Sequence, residues 1–127
     1  MEVNKPNKVQ RHVAQSTQYF DNAIRAIEAG EPEKASEFLW GSLSQALKAV
    51  GASRGILLNS HDQIKRYALD IAKDLSDEGI WYAFIEAQSL HSNFYETGLQ
   101  IEDVRLGADH VKRAIAKVFS LISDGNK

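Results

Sequence analysis

The sequence predicts an all-α protein, an antiparallel bundle of about five helices. Three observations predict it. Apolar residues return at spacings of three and four along most of the chain, the signature of a helix with one buried face. No segment keeps up an alternation of period two, so no sheet is expected. The only two prolines, Pro6 and Pro32, stand just ahead of periodic runs and not inside them, where a proline would break a helix. With 127 residues, 43% hydrophobic and 25% charged, the chain suits one domain over 1–127. Its short tails, 1–7 and 124–127, are expected to fray.

Each helix can be placed by its punctuation. Asn7 can cap a first helix over about 8–29, whose inward face would carry Val9, Val13, Phe20, Ile24 and Ile27. The run Gly30–Glu31–Pro32 stops it and starts a second helix over about 33–50, because proline is tolerated in a first turn. Leu39, Leu43, Ala46, Leu47 and Val50 share one side of that helix, and Gly51 is expected to end it. Ser60 and Gln63 have the spacing of a capping box. They open a third helix over about 61–75 that buries Ile64, Ala68, Ile71 and Leu75. Ser76–Gly79 breaks the chain, and a fourth helix follows over about 80–96. The last is the clearest: Ile101, Val104, Ala108, Val111, Ile115, Val118 and Ile122 form an a/d-type seam. About 23 residues there make roughly 34 Å of helix, so it should be the longest or nearly so.

Composition narrows the function classes. A net charge of −2 argues against broad electrostatic binding to a phosphate backbone, and the absence of cysteine excludes disulfides, thiolate metal sites and cysteine nucleophiles. The polar N-terminus has no signal-peptide core, and no run approaches the ~18 apolar residues of a membrane span. A cytoplasmic protein without membrane attachment is expected. The four histidines, His12, His61, His91 and His110, show no metal-ligand spacing, and no phosphate-loop, dinucleotide or serine-elbow motif occurs. Neither a metal nor a cofactor is expected.

The densest polar-aromatic stretch is Leu90–Thr97, "LHSNFYET". On a helix, Ala83, Ala87, Leu90 and Phe94 make an apolar stripe, with Leu90 and Phe94 deeply buried. Asn93 and Glu96 are not both expected in the core. Phe84, Gln88, His91 and Tyr95 make a neighbouring aromatic stripe with polar tips. His91 and Tyr95 therefore border the core, either as packed rings with satisfied polar ends or as the edge of a small polar site.

The block Ala87–Glu96, "AQSLHSNFYE", resembles the signature of the archaeal PaREP repeat family. Phe38–Gly55 followed by Ser60–Ile64 is similar to that family and to the broader HEPN-type helical domains. The likeness spans about residues 33–120. It implies an antiparallel, HEPN-like helical bundle, often dimeric, and says little about chemistry. Ribonucleases of the HEPN class place a histidine a few residues after an arginine, and two stretches fit, Arg54 with His61 and Arg105 with His110. The histidine would serve as acid or base and the arginine would stabilise developing phosphate charge. The pattern is short enough to arise by chance. Five residues apart on a regular helix, Arg105 and His110 would also point away from each other.

The preferred reading is a homodimeric interaction module, with wide apolar stripes to cover and with RNA, another anion or a protein as partner. The alternative is a metal-independent ribonuclease. The candidate site residues are Arg54 and His61 for catalysis, and Arg54, His61, His91 and Tyr95 for ligand binding.

Overall fold

Side-chain caps set where the helices begin. The Asn7 side chain accepts from the Gln10 N–H while the Gln10 side chain accepts from the Asn7 N–H, and Ser60 and Gln63 repeat the arrangement. Each reciprocal cap satisfies two N–H groups that have no partner inside the helix. Pro32 occupies the first turn of the second helix, and Asp77 accepts from the Gly79 N–H at the start of the fourth. The computed structural model describes residues 7–125, the side chains of 93–97 and 123–125 excepted. It contains α1 (Lys8–Glu28), α2 (Pro32–Ser53), α3 (His61–Asp74), α4 (Glu78–Thr97) and α5 (Ile101–Gly125), with no strand among the described residues. At 25 residues α5 is the longest of the five.

The same ending closes α1, α2 and α3. At Gly30, Gly55 and Ser76 the chain turns left-handed, and the N–H groups of Glu31, Ile56 and Asp77 reach back to the carbonyls of Ala26, Gly51 and Ala72. This places the end of α2 at Ser53, beyond the glycine expected to stop it. Gly51 has a right-handed backbone and lies inside the helix, so its role is spatial. A Cβ on Gly51 would lie 3.0 Å from the Ile56 carbonyl oxygen and 3.2 Å from Leu58 Cδ1.

α2 packs against α1, α4, α5 and, more lightly, α3. Leu39, Leu43, Ala46, Leu47 and Val50 are wholly buried, as expected. α1 runs antiparallel to α2. His12 Nδ1 and Gln45 Oε1 are 2.6 Å apart, Ser16 Oγ donates to the Ser42 carbonyl, and the Tyr19 ring covers Gly41. The buried face of α1 is thus Ser16, Ala23, Ala26 and Ile27, while Val9, Val13 and Phe20 are half-buried and Ile24 is exposed. The largest apolar residues of α1 do not mark its centre line, because small residues let two backbones approach where large ones hold them apart.

α4 and α5 form a second antiparallel pair, with Leu90 over Gly107, Glu86 beside His110 and Asp77 beside Lys117. The α5 seam is largely as expected: Val104, Ala108, Val111, Val118 and Ile122 are buried, and Ile101 and Ile115 are partly so. Two further expected core positions differ. Leu75 is exposed because it is the cap residue of α3, and Leu90 is half-buried because it lies at the edge of the α4–α5 contact. The expectations for Phe94, Asn93 and Glu96 lie outside the described side chains.

The helix endings generate a paired prediction. Ser76 holds φ +50 without being glycine, and Gly30 holds φ +73 with open space around it. Ser76→Gly should raise unfolding stability by about 1 kcal/mol and Gly30→Ala lower it by about 1 kcal/mol, as read by urea denaturation.

Candidate functional site

The face of α2 turned away from α1 carries Trp40 and, one turn on, Ser44. Phe84 of α4, fully buried, meets the Trp40 indole edge-on at 5.1 Å between centroids. His91 of α4 lies stacked on the same indole at 6.2 Å, and the His61 ring, at the first residue of α3, is 4.9 Å from it. Two of the sequence-predicted site residues, His61 and His91, are therefore brought together, and the group joining them is a tryptophan. His61 itself is exposed, with the Trp40 ring beside it and the Phe84 ring 6.3 Å away.

Three polar atoms in this region are withdrawn from solvent with no hydrogen-bond partner among the described residues: Ser44 Oγ, Gln88 Oε1 and His91 Nδ1. Ser44 is 8% exposed. Each such atom costs about 1–3 kcal/mol of lost hydration. Native structures keep few of them, and those they keep call for an explanation. In the loop that delivers His61, Ile56 is 42% and Leu57 58% exposed, beside Lys8, His12 and Lys48 near the end of α2.

Arg54 is placed elsewhere. It is the cap residue of α2, and its Nη1 donates to the buried Tyr67 hydroxyl at 3.2 Å, tying the loop to α3. No described contact joins it to His61. Arg105 pairs with Glu102 on its own helix, and His110 with Glu86 across to α4. Neither arginine–histidine pair is assembled. The Tyr95 side chain lies outside the described residues.

A second constellation lies between α4 and α5 and includes part of the basic run His110–Lys117. A cleft of about 240 Å³ between α4 and α5 is lined by Tyr82, Glu86, His110, Arg113 and Lys117, with Ala83 and Ala114 buried beside it. His110 Nδ1 donates to Glu86 Oε1 at 2.5 Å, and Lys117 Nζ donates to Asp77 Oδ2 at 2.5 Å. The Lys117 hydrogen bond, helped by the N–H groups of Gly79 and Ile80, holds the Asp77 carboxyl below its ordinary value, against a smaller opposing effect of burial. The sequence signal was available only in part. His110, Arg113 and Lys117 stand three and four apart on α5, but their partners come from another helix.

A sequence profile described as the archaeal PaREP1/PaREP8 family matches residues 11–115. The crystal structure of a protein from Sulfolobus solfataricus has a similar fold, with a TM-score of 0.72 at 14% identity. The match covers 84% of this chain and 95% of that one. No curated protein matches the chain. Among the described residues no helix is long and apolar enough to cross a membrane.

Trp40→Ala should cost about 3 kcal/mol, the low end for an indole because Trp40 is half-buried. His61→Ala should change stability by less than about 0.5 kcal/mol yet shift the tryptophan emission spectrum, since the exposed ring contributes contact and little burial. The depressed Asp77 carboxyl supplies stability that is present above the unfolded carboxylate value near 4 and is lost as pH falls through the folded value. Acid unfolding of the wild type should show a loss of about 0.5 kcal/mol in that window which Asp77→Asn lacks.

Proposed function

We propose that this chain, which belongs to the archaeal PaREP1/PaREP8 family, is a binding module and not an enzyme. In this reading it is one domain, a cytoplasmic homodimer whose copies meet at the surface carrying Trp40, His61 and His91. The observation that carries it is the coincidence of a half-buried tryptophan between two histidines and three unpartnered buried polar atoms beside it, with exposed Ile56 and Leu57 in the loop that leads to His61. Aromatic residues ringed by apolar and polar groups are the usual make-up of an interface centre. Rotation of the Trp40 ring on pairing would give Ser44, Gln88 and His91 access to donors and acceptors of the second copy. A stable pair would cover on the order of 1,200 Å² or more in total. The exposed apolar pair at Ile56 and Leu57 favours a protein partner over RNA. The ribonuclease alternative needs an arginine beside a histidine, whereas Arg54 is held by Tyr67 and Arg105 by Glu102.

Sedimentation equilibrium at micromolar concentration should give about twice the 14.2 kDa chain mass. Leu57→Asp should weaken the pairing by about tenfold or more, the effect of a desolvated charge at an apolar contact. A wild type that sediments as one chain removes the reading. Incubation with single-stranded RNA in the absence of metal should leave the RNA intact, and fragments that vanish in His61→Ala would make the protein an enzyme.

A further inference from the structure

We infer that the cleft between α4 and α5 is a binding site for a mononucleotide, with the phosphate on Arg113 and the base on Tyr82. The inference is independent of the pairing surface, which lies on α2, the α2–α3 loop and other residues of α4.

The cleft exists because of what faces what. In the antiparallel register of α4 and α5, Tyr82 and Ala83 stand opposite Arg113 and Ala114. Ala83 and Ala114 are both buried, and Gly79 also lines the cleft, so small residues leave the space. The gap is held at both ends. Glu86 and His110 close it on one side, and Asp77 and Lys117 on the other. Each clamp uses one cation or histidine and one carboxylate, so their charges are mutually occupied. Arg113 lies between the clamps and has no ion-pair partner among the described residues. It is the cation left over.

Arg113, the Nε2 edge of His110 and Tyr82 line the cleft together. The Arg113 guanidinium is a planar fork that matches a phosphate with two parallel N–H donors. Glu86, by accepting from His110 Nδ1, fixes the imidazole orientation and leaves Nε2 for an outside partner. Tyr82 is 63% exposed on the α4 side of the same cleft. An aromatic ring so exposed on a helix is a platform for stacking, and a base is the planar group that a phosphate ester most commonly carries. The cleft volume, about 240 Å³, lies a little below the range of drug-sized pockets. It suits a phosphate and sugar inside the cleft with the base over Tyr82 at its lip. The two carboxylates already engaged with Lys117 and His110 would bar a ligand that crowds a second anion against them, which argues for one phosphate and not a polyphosphate.

The test is calorimetric titration of the full chain with adenosine 5′-monophosphate, uridine 5′-monophosphate, adenosine and inorganic phosphate. Both nucleotides should bind, and adenosine and phosphate should each bind at least about tenfold more weakly, because each keeps only one of the two contacts. Arg113→Gln should weaken nucleotide binding by about tenfold or more. Tyr82→Ala should weaken it by about tenfold while leaving phosphate binding unchanged. Both side chains are exposed, and an unchanged thermal midpoint will show that the variants fold. Glu86→Gln, which removes the orienting charge and keeps the shape, should give an intermediate loss. No nucleotide binding at millimolar concentration overturns the assignment. So does binding that neither Arg113→Gln nor Tyr82→Ala alters, and so does binding of an RNA oligonucleotide with none of a mononucleotide.

Discussion

The structure depends on α2, which packs against all four other helices and exposes only Glu33, Lys34 and Glu37. A helix with so many neighbours needs residues that are apolar or small over most of its surface. α2 meets this with leucine and valine toward the core and with alanine, serine and glycine where another backbone comes close. Three of its serines do not violate the core. Ser36, Ser42 and Ser53 return their hydroxyls to carbonyls one turn back, so each behaves as a small, satisfied residue. Gly41 makes room for the Tyr19 ring, and a Cβ there would be 3.0 Å from it. Once α2 is enclosed, the register of α1 follows from Ser16 bonding to the Ser42 carbonyl and His12 meeting Gln45.

The same constraint produces the tryptophan surface. α2 ends at Ser53, thirteen residues beyond Trp40, or about 20 Å along the axis. The seven-residue loop 54–60 is long enough to span about 23 Å when extended. It brings His61 back to the level of Trp40, where the rings meet. Leu58 is the loop's anchor, buried against Gly51, while Ile56 and Leu57 have no wall to pack on and stay exposed. A loop that must run back along its own helix has few ways to hide its apolar residues. Arg54 fastens the start of this path to Tyr67, so an arginine that looked chemical in sequence serves the geometry of the connection.

α4 and α5 are joined differently. Their contact is partly apolar, through Val111, Ala83, Ala87 and Ala114, and partly polar, through two ion pairs at its margin. Partly exposed pairs add little stability, but they fix register and orient side chains. Here they hold a cleft open beside two alanines. His110 is drawn away from Arg105 by Glu86, while Arg105 pairs along its own helix with Glu102. That division dissolves the arginine–histidine pattern and leaves Arg113 as the cation facing the cleft.

The sequence by itself determined the five helices, the cap at Asn7 and the reciprocal cap at Ser60, the core of α2 and the seam of α5. These are local matters, written in spacing over a few turns and in cap residues that bond to their own backbone. The Leu90–Thr97 block also carried the family resemblance. Only the tertiary structure decided which face of α1 is inside, since Ser16 and Ala23 outrank Ile24 only when a second helix lies close. It alone made Trp40 the neighbour of both His61 and His91, separated Arg54 from His61, and set Glu86 beside His110. Each of those contacts joins residues from different helices, and nothing in the period of one helix states its rotation against another. That rotation is settled by which small residues let which backbones approach, a property of pairs of faces that a single run of residues does not contain.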